Sequence, residues 1–185
     1  MSPTRLILLC LTVLAAGCAA LPSLPVRGPA VGDAFHLLGR VSVRQGEEAF
    51  SGTLDWWHRP AADEVEILGP LGQGVARLLR TPEGASLTTA RGEVHVASDI
   101  EELTGRLLGW RLPLAALAHW VQGRPAPGPV EAMEYGADGR LARLMQEGWR
   151  IEYGAWREAA GRALPGRLDV EGRDLRLRLV VDAWQ

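Results

Sequence analysis

Apolar residues recur at every second position along most of this chain, and that period restricts most of it to β-strands. From Phe35 to Gln45, the residues Phe35, Leu37, Val41 and Val43 share one face, and Arg40, Ser42 and Arg44 share the other. Ala49 to His58 sets Phe50, Gly52, Leu54 and Trp56 against Ser51, Thr53, Asp55 and Trp57. Neighbours on a strand point oppositely, so Trp56 is expected inward and Trp57 outward. Strands are also expected near 63–68, 75–80, 85–90 and 92–97, where Val94 and Val96 share a face. They resume with Ala132 to Tyr135, Leu141 to Gln146, the alternating Trp149, Ile151 and Tyr153, Leu168 to Glu171, and Asp174 to Trp184. Asp138-Gly139 marks a tight hairpin. About ten or eleven short strands joined this way predict an antiparallel barrel or sandwich, a mainly β (α+β) chain with an apolar inside.

The period changes once, after the sixth strand. Ser98-Asp99-Ile100-Glu101 reads as a capping box with Ser98 at the N-cap. Ile100, Leu103, Leu107 and Trp110 then follow at helical spacing, and Gly109 is a stop. Pro113 suits the start of a second helix, with Leu114, Leu117, Trp120 and Val121 as its stripe and Gly123 as its end. Three prolines in 124–129 make a loop. Two such helices are placed to plug the open mouth of a barrel.

One turn is unusual. Gly69-Pro70-Leu71-Gly72-Gln73 joins two strands, and no charge lies between Ile67 and Ala76. Hairpin tips are ordinarily polar, with Asn-Gly or Asp-Gly at the apex. Either Leu71 folds back on the core, or it enters something apolar outside the protein.

The first residues name a compartment. Arg5 precedes an apolar run from Leu6 to Ala16, shorter than the roughly 20 residues a membrane span needs and suited to a signal peptide. Leu14-Ala15-Ala16-Gly17-Cys18 resembles a bacterial lipobox, with Ala15 where leucine is usual. Residues 1–17 are thus expected to be a cleaved lipoprotein signal, with Cys18 acylated as the first mature residue. Ala19, in place of aspartate, resembles the pattern sent to the outer membrane. More than one acyl chain anchors stably. Residues 18–32, rich in Pro, Gly and Ala, read as the lipidated terminus and tether, and 33–185 as one domain.

The mature chain holds 168 residues (185 − 17). Cys10 falls in the leader, so no disulfide and no cysteine metal site is expected. There is no lysine, and 19 arginines (20 − 1) against 22 acids give a charge near −3, which offers no footprint for nucleic acid. No nucleophile motif, phosphate loop or metal spacing occurs. His36, His58, His95 and His119 each read as surface polar residues, and Glu47-Glu48 and Glu101-Glu102 as solvated faces. The reading is of a protein that is not an enzyme and needs no cofactor. Seven tryptophans fit core filling and an apolar cavity alike.

Laid out in order, these pieces resemble the LolB family, the outer-membrane receptors for lipoproteins in Gram-negative bacteria. The resemblance rests on Leu38-Gly39-Arg40-Val41, Ser51-Gly52 with Trp56, and Gly69-Pro70-Leu71-Gly72-Gln73. It continues through Leu107-Leu108-Gly109-Trp110 with Leu112-Pro113-Leu114, Trp120-Val121-Gln122-Gly123 and Gly139-Arg140-Leu141. Gln146-Glu147-Gly148-Trp149, Tyr153, Leu164-Pro165 and Trp184 complete it. It implies an incomplete antiparallel barrel with a helical lid over a hydrophobic cavity. It implies acceptance of lipoproteins from a LolA-like periplasmic carrier and their release into the inner leaflet of the outer membrane. The partners implied are that carrier, acylated lipoprotein clients and the membrane, with the protein a monomer facing the periplasm. Pro70, Leu71 and Gly72 match the family's insertion loop. The apolar faces supply the candidate cavity residues: Phe50, Leu54, Trp56, Leu103, Leu107, Trp110, Leu117, Trp120, Trp149, Ile151 and Tyr153. Two other classes stay open: a scaffold that binds only proteins through Leu71, and an esterase or glycosidase of unfamiliar type.

Overall fold

The computed structural model describes Arg27 and residues 33–159, 161–172 and 174–185. The expected signal, Cys18 and the rest of the tether lie outside the described residues. In chain order the elements are β1 (Phe35–Gln45), β2 (Glu48–Arg59), β3 (Ala62–Leu68), β4 (Gly74–Thr81), β5 (Gly84–Thr89) and β6 (Val94–Ala97). Two helices follow, α1 (Ile100–Leu108) and α2 (Leu114–Trp120). The second run is β7 (Ala132–Tyr135), β8 (Leu141–Gln146), β9 (Trp149–Gly154), β10 (Arg157–Ala159), β11 (Arg162–Leu164), β12 (Arg167–Gly172) and β13 (Leu175–Trp184).

Eleven strands form one antiparallel sheet in the order β6-β5-β4-β3-β2-β1-β13-β12-β9-β8-β7. The sheet therefore ends on β6 and β7 and does not close. Its middle is the seam between β1 and β13, where Val41 pairs with Leu179 and Val43 with Leu177. His36 and Gln185 exchange two backbone hydrogen bonds at the foot of that seam. A separate two-stranded hairpin, β10-β11, was not expected. Each of its strands has three residues, too few for a period to show.

Trp56 points inward and is buried, and Trp57 points outward, as parity requires. The outer face is laced with ion pairs, among them Arg40 with Asp182, Arg143 with Glu134, and Arg178 with Asp169. The two edges break the apolar-inside rule. Val94 and Val96 of β6 are exposed on the outer face, and every residue of β7 is exposed.

The helix signals are shifted by one residue. Asp99, not Ser98, is the N-cap of α1: its carboxylate accepts from the Glu102 N–H at 2.7 Å. Ser98 instead donates its hydroxyl to the Glu102 carboxylate. A carboxylate cap gains from the helix dipole as well as from the hydrogen bond, so aspartate wins over the adjacent serine. Gly109 ends α1 in the left-handed region at φ 79°. Pro113 caps α2 rather than opening it.

Candidate functional site: an apolar cavity and its exposed hairpin

The two helices enter the curve of the sheet, and α2 divides its inside into unequal halves. On the β7-β9 side the space is full. Trp120 is wholly buried, its ring 6.2 Å from that of Trp149, and its indole N–H donates to the Gln146 amide at 2.9 Å. Gln146 also accepts from the Ala126 N–H and donates to the Ala126 carbonyl, which fastens the proline loop to β8. Ile151 and Leu103 have no exposed surface, and Tyr153 packs near Trp156. Burial pushes the Tyr153 hydroxyl far above the usual tyrosine range.

On the β1-β6 side the space is hollow. A cavity of about 470 Å³ lies there, within the roughly 300–1,000 Å³ of small-molecule sites. Its wall comes from β1 to β5, β13 and the helices, with Val41, Val65, Leu78, Leu87 and Leu179 as examples. Six of the expected cavity residues are in that wall: Phe50, Leu54, Trp56, Leu107, Trp110 and Leu117. The other five are outside it: Leu103, Trp120, Ile151 and Tyr153 are packed in the core, and Trp149 is partly buried against it. This corrects the sequence reading. Parity tells inside from outside, but not filled from empty. Sequence reasoning also passed over Leu112, Leu114, Val121 and the wall positions of β3 to β5, although the helical stripe pointed at Leu114 and Val121 and strand alternation at most of the β positions.

At one end, behind Trp56 and outside the cavity lining, lies a buried polar cluster. Asp63, buried on the inward face beside Val65, accepts from the Trp56 indole N–H at 2.8 Å and lies 2.6 Å from His58 Nδ1. Arg80 donates to its second oxygen from Nε at 2.6 Å, with Nη2 at 2.5 Å. A buried carboxylate is tolerable only with such partners. The cluster clamps the indole that forms the cavity wall. His58 also stacks on Phe35 at 4.7 Å, and His36 stacks on Trp57 at 3.7 Å and bonds to Asp55. Both histidines are buried, against the expectation of four surface histidines. Their acid partners lie on neighbouring strands, a pairing that linear spacing hides.

The mouth lies at the opposite end, between the β1-β2, β3-β4 and β5-β6 turns. Gln45, Glu48 and Thr89 are its polar rim. The β3-β4 turn is the Leu71 tip, and Leu71 is 93% exposed. It does not fold back. Ile67, Val75 and Ala76, at the base of the same hairpin, line the cavity, so the apolar wall runs up into the tip. The turn pairs the N–H groups around its tip within itself. Gly69 N–H donates to the Gln73 carbonyl at 2.8 Å, Gly72 N–H to the Gly69 carbonyl at 2.9 Å, and Leu71 N–H to the Gln73 side-chain oxygen at 3.0 Å. Pro70 has no N–H, so no backbone donor from 69 to 72 is left over. A Cβ at Gly69 would push the Gln73 amide out of its place in the turn. The role of Gln73 left no sequence signal beyond its presence.

Among the described residues no group of three or more His, Cys, Asp or Glu is placed to hold a metal ion. No helix among them is long and apolar enough to cross a membrane.

The family model for the outer membrane lipoprotein LolB matches residues 33–184. The chain belongs to the LolB family. It is 42% identical over 171 residues to the outer-membrane lipoprotein LolB of Thiobacillus denitrificans, covering 91% of this chain and 90% of that protein. With the LolB of Azoarcus sp. it shares 42% over 151 residues, 82% of this chain and 78% of the relative. The Nitrosococcus oceani LolB is 43% identical over 154 residues, 82% and 76%. A solved LolA superfamily protein from Nitrosomonas europaea has the same fold at 10% identity, with a TM-score of 0.50 over 87% of this chain and 88% of that one. The LolB resemblance expected from short motifs thus extends over the whole described domain. The open eleven-stranded sheet agrees with the LolA superfamily fold.

Proposed function

We propose that this LolB-family lipoprotein holds a client's acyl chains in the β1-β6 cavity and passes them through the Leu71 hairpin into a bilayer. The carrier that supplies the client is LolA-like, and the acceptor is the inner leaflet of the outer membrane. Cys18 carries the protein's own lipid anchor. One observation supports this most: the apolar wall is continuous with an exposed leucine on a turn whose backbone donors from 69 to 72 are all paired. An unpaired N–H carried into hydrocarbon costs several kcal/mol, and this turn avoids that. Burying Leu71 itself gains roughly 1.5–3 kcal/mol. The cavity offers nothing that forms or breaks a bond in this reading; transfer proceeds because each acceptor holds the chains better than the last.

The test is reconstitution. A purified LolA-like carrier loaded with an acylated client is mixed with the protein and liposomes, and the client's distribution is followed by flotation. Client in the liposomes, dependent on this protein, is the expected result. A domain that binds no fatty-acyl probe and leaves the client on the carrier would instead favour the protein-binding scaffold.

A further inference from the structure

The outer face at the base of the tip hairpin is built around a residue from far away in the chain. Glu64 points outward yet is only 4% exposed. It pairs across the strands with Trp57, as Glu66 does with Arg77. Arg27 lies on this group. It donates to Glu64 from Nε at 3.1 Å and Nη2 at 2.8 Å, sits 3.0 Å from Glu66, and stands 5.9 Å above the Trp57 ring. Arg77 holds the same two carboxylates from the other side. Trp57 Nε1 is buried without a partner among the described residues. Two carboxylates and an aromatic face form a receptacle that suits a guanidinium.

We propose that Trp57, Glu64, Glu66 and Arg77 form a docking seat for the protein's own tether, occupied by Arg27, which shortens the leash and holds the Leu71 hairpin toward the anchoring bilayer. This rests on the acylation of Cys18 proposed above. From Cys18 to Arg27 there are nine residues (27 − 18), a reach of about 30 Å fully extended; unseated, the leash runs fifteen residues to Asp33 (33 − 18), about 50 Å. Its two carboxylates and Arg77 are on β3 and β4, the strands that Leu71 joins, and Trp57 is on the adjacent β2. Glu66 is five residues from the tip, about 17 Å along a strand. Anchor and tip therefore leave from one hairpin and reach one membrane.

Trypsin reads the seat directly, since with no lysine present Arg27 is the first cleavable residue of the mature chain. In the soluble, unacylated protein, Arg27-Gly28 should be cut at least tenfold more slowly than in a free peptide of residues 23–32. Glu66→Gln, a surface change, should speed the cut severalfold while the other tryptic sites keep their rates. Equal rates in peptide and protein would overturn the seat. Its consequence is read with the acylated protein in phosphatidylethanolamine–phosphatidylglycerol liposomes, with Leu71→Cys carrying a bimane probe. Arg27→Ala should lower probe penetration by about twofold or more, from the −3/2 power of leash length alone. In the unacylated protein it should change nothing. Unaltered penetration in the acylated form would overturn the orienting role. Fatty-acid labelling of the same sample reports separately on Cys18: an unlabelled protein would refute the anchor, while the tryptic comparison still decides the seat.

Discussion

Leu71 is held out by its neighbours. It has no core contact to lose, so Leu71→Glu should melt within a few degrees of the parent. It should still take a lipoprotein from the carrier and fail to deliver it to liposomes, because a carboxylate resists the membrane. A large fall in Tm would make Leu71 structural, and delivery at the parent's rate would remove the tip from the mechanism. Gln73→Ala tests the same turn from beneath. It bares the Leu71 N–H and should slow delivery several-fold without altering the fold by circular dichroism. Glu64 gives a pH dependence. Burial raises its pKa, but hydrogen bonds and charge from Arg27 and Arg77 outweigh that, and the net shift is below the ordinary 4.5. A carboxylate depressed on folding contributes stability above its unfolded pKa, and that contribution is lost as pH falls through the folded value. Glu64→Gln should therefore flatten the acid limb, below about pH 4.5, of a Tm-against-pH curve. The tip was legible because an apolar turn between two strands is rare. Gln73, Asp63 and Gln146 were not, because a polar side chain shows its purpose only once its partners across the sheet are known.

Among the elements, α2 decides what is hollow. It leans on β8 through Trp120 and Gln146 and leaves the β1-β6 side unfilled. Trp120→Ala should therefore cost about 3–5 kcal/mol in urea unfolding, the usual range for a buried tryptophan. Any population that stays folded should bind an apolar dye as before. Adding volume on the other side separates the roles: Ala76→Phe should keep or raise Tm and cut dye capacity. If it leaves capacity unchanged, the cavity is not where the probe goes. The strands and both helices could be read from period alone, to within a residue or two. The share of inward residues between a packed half and an empty half could not. That share depends on where α2 docks, a tertiary fact with no local pattern. The β10-β11 hairpin escaped for another reason, its strands being too short to carry a period.

In the whole molecule, the first and last strands meet at the centre of the sheet. Gly39 of β1 is paired with Val181 of β13. Neither half of the sheet is continuous with the other until that pair forms. Contacts between such distant parts of a chain are slow to form, because the loop must close before they repay it. A chain emerging N-terminus first thus holds β1 with one edge bare until synthesis and export are complete. A truncation before Leu175 should then do more than remove one strand. It should leave two half-sheets with matching open edges, prone to pair with another copy's and to seek whatever periplasmic chaperone covers bare strands.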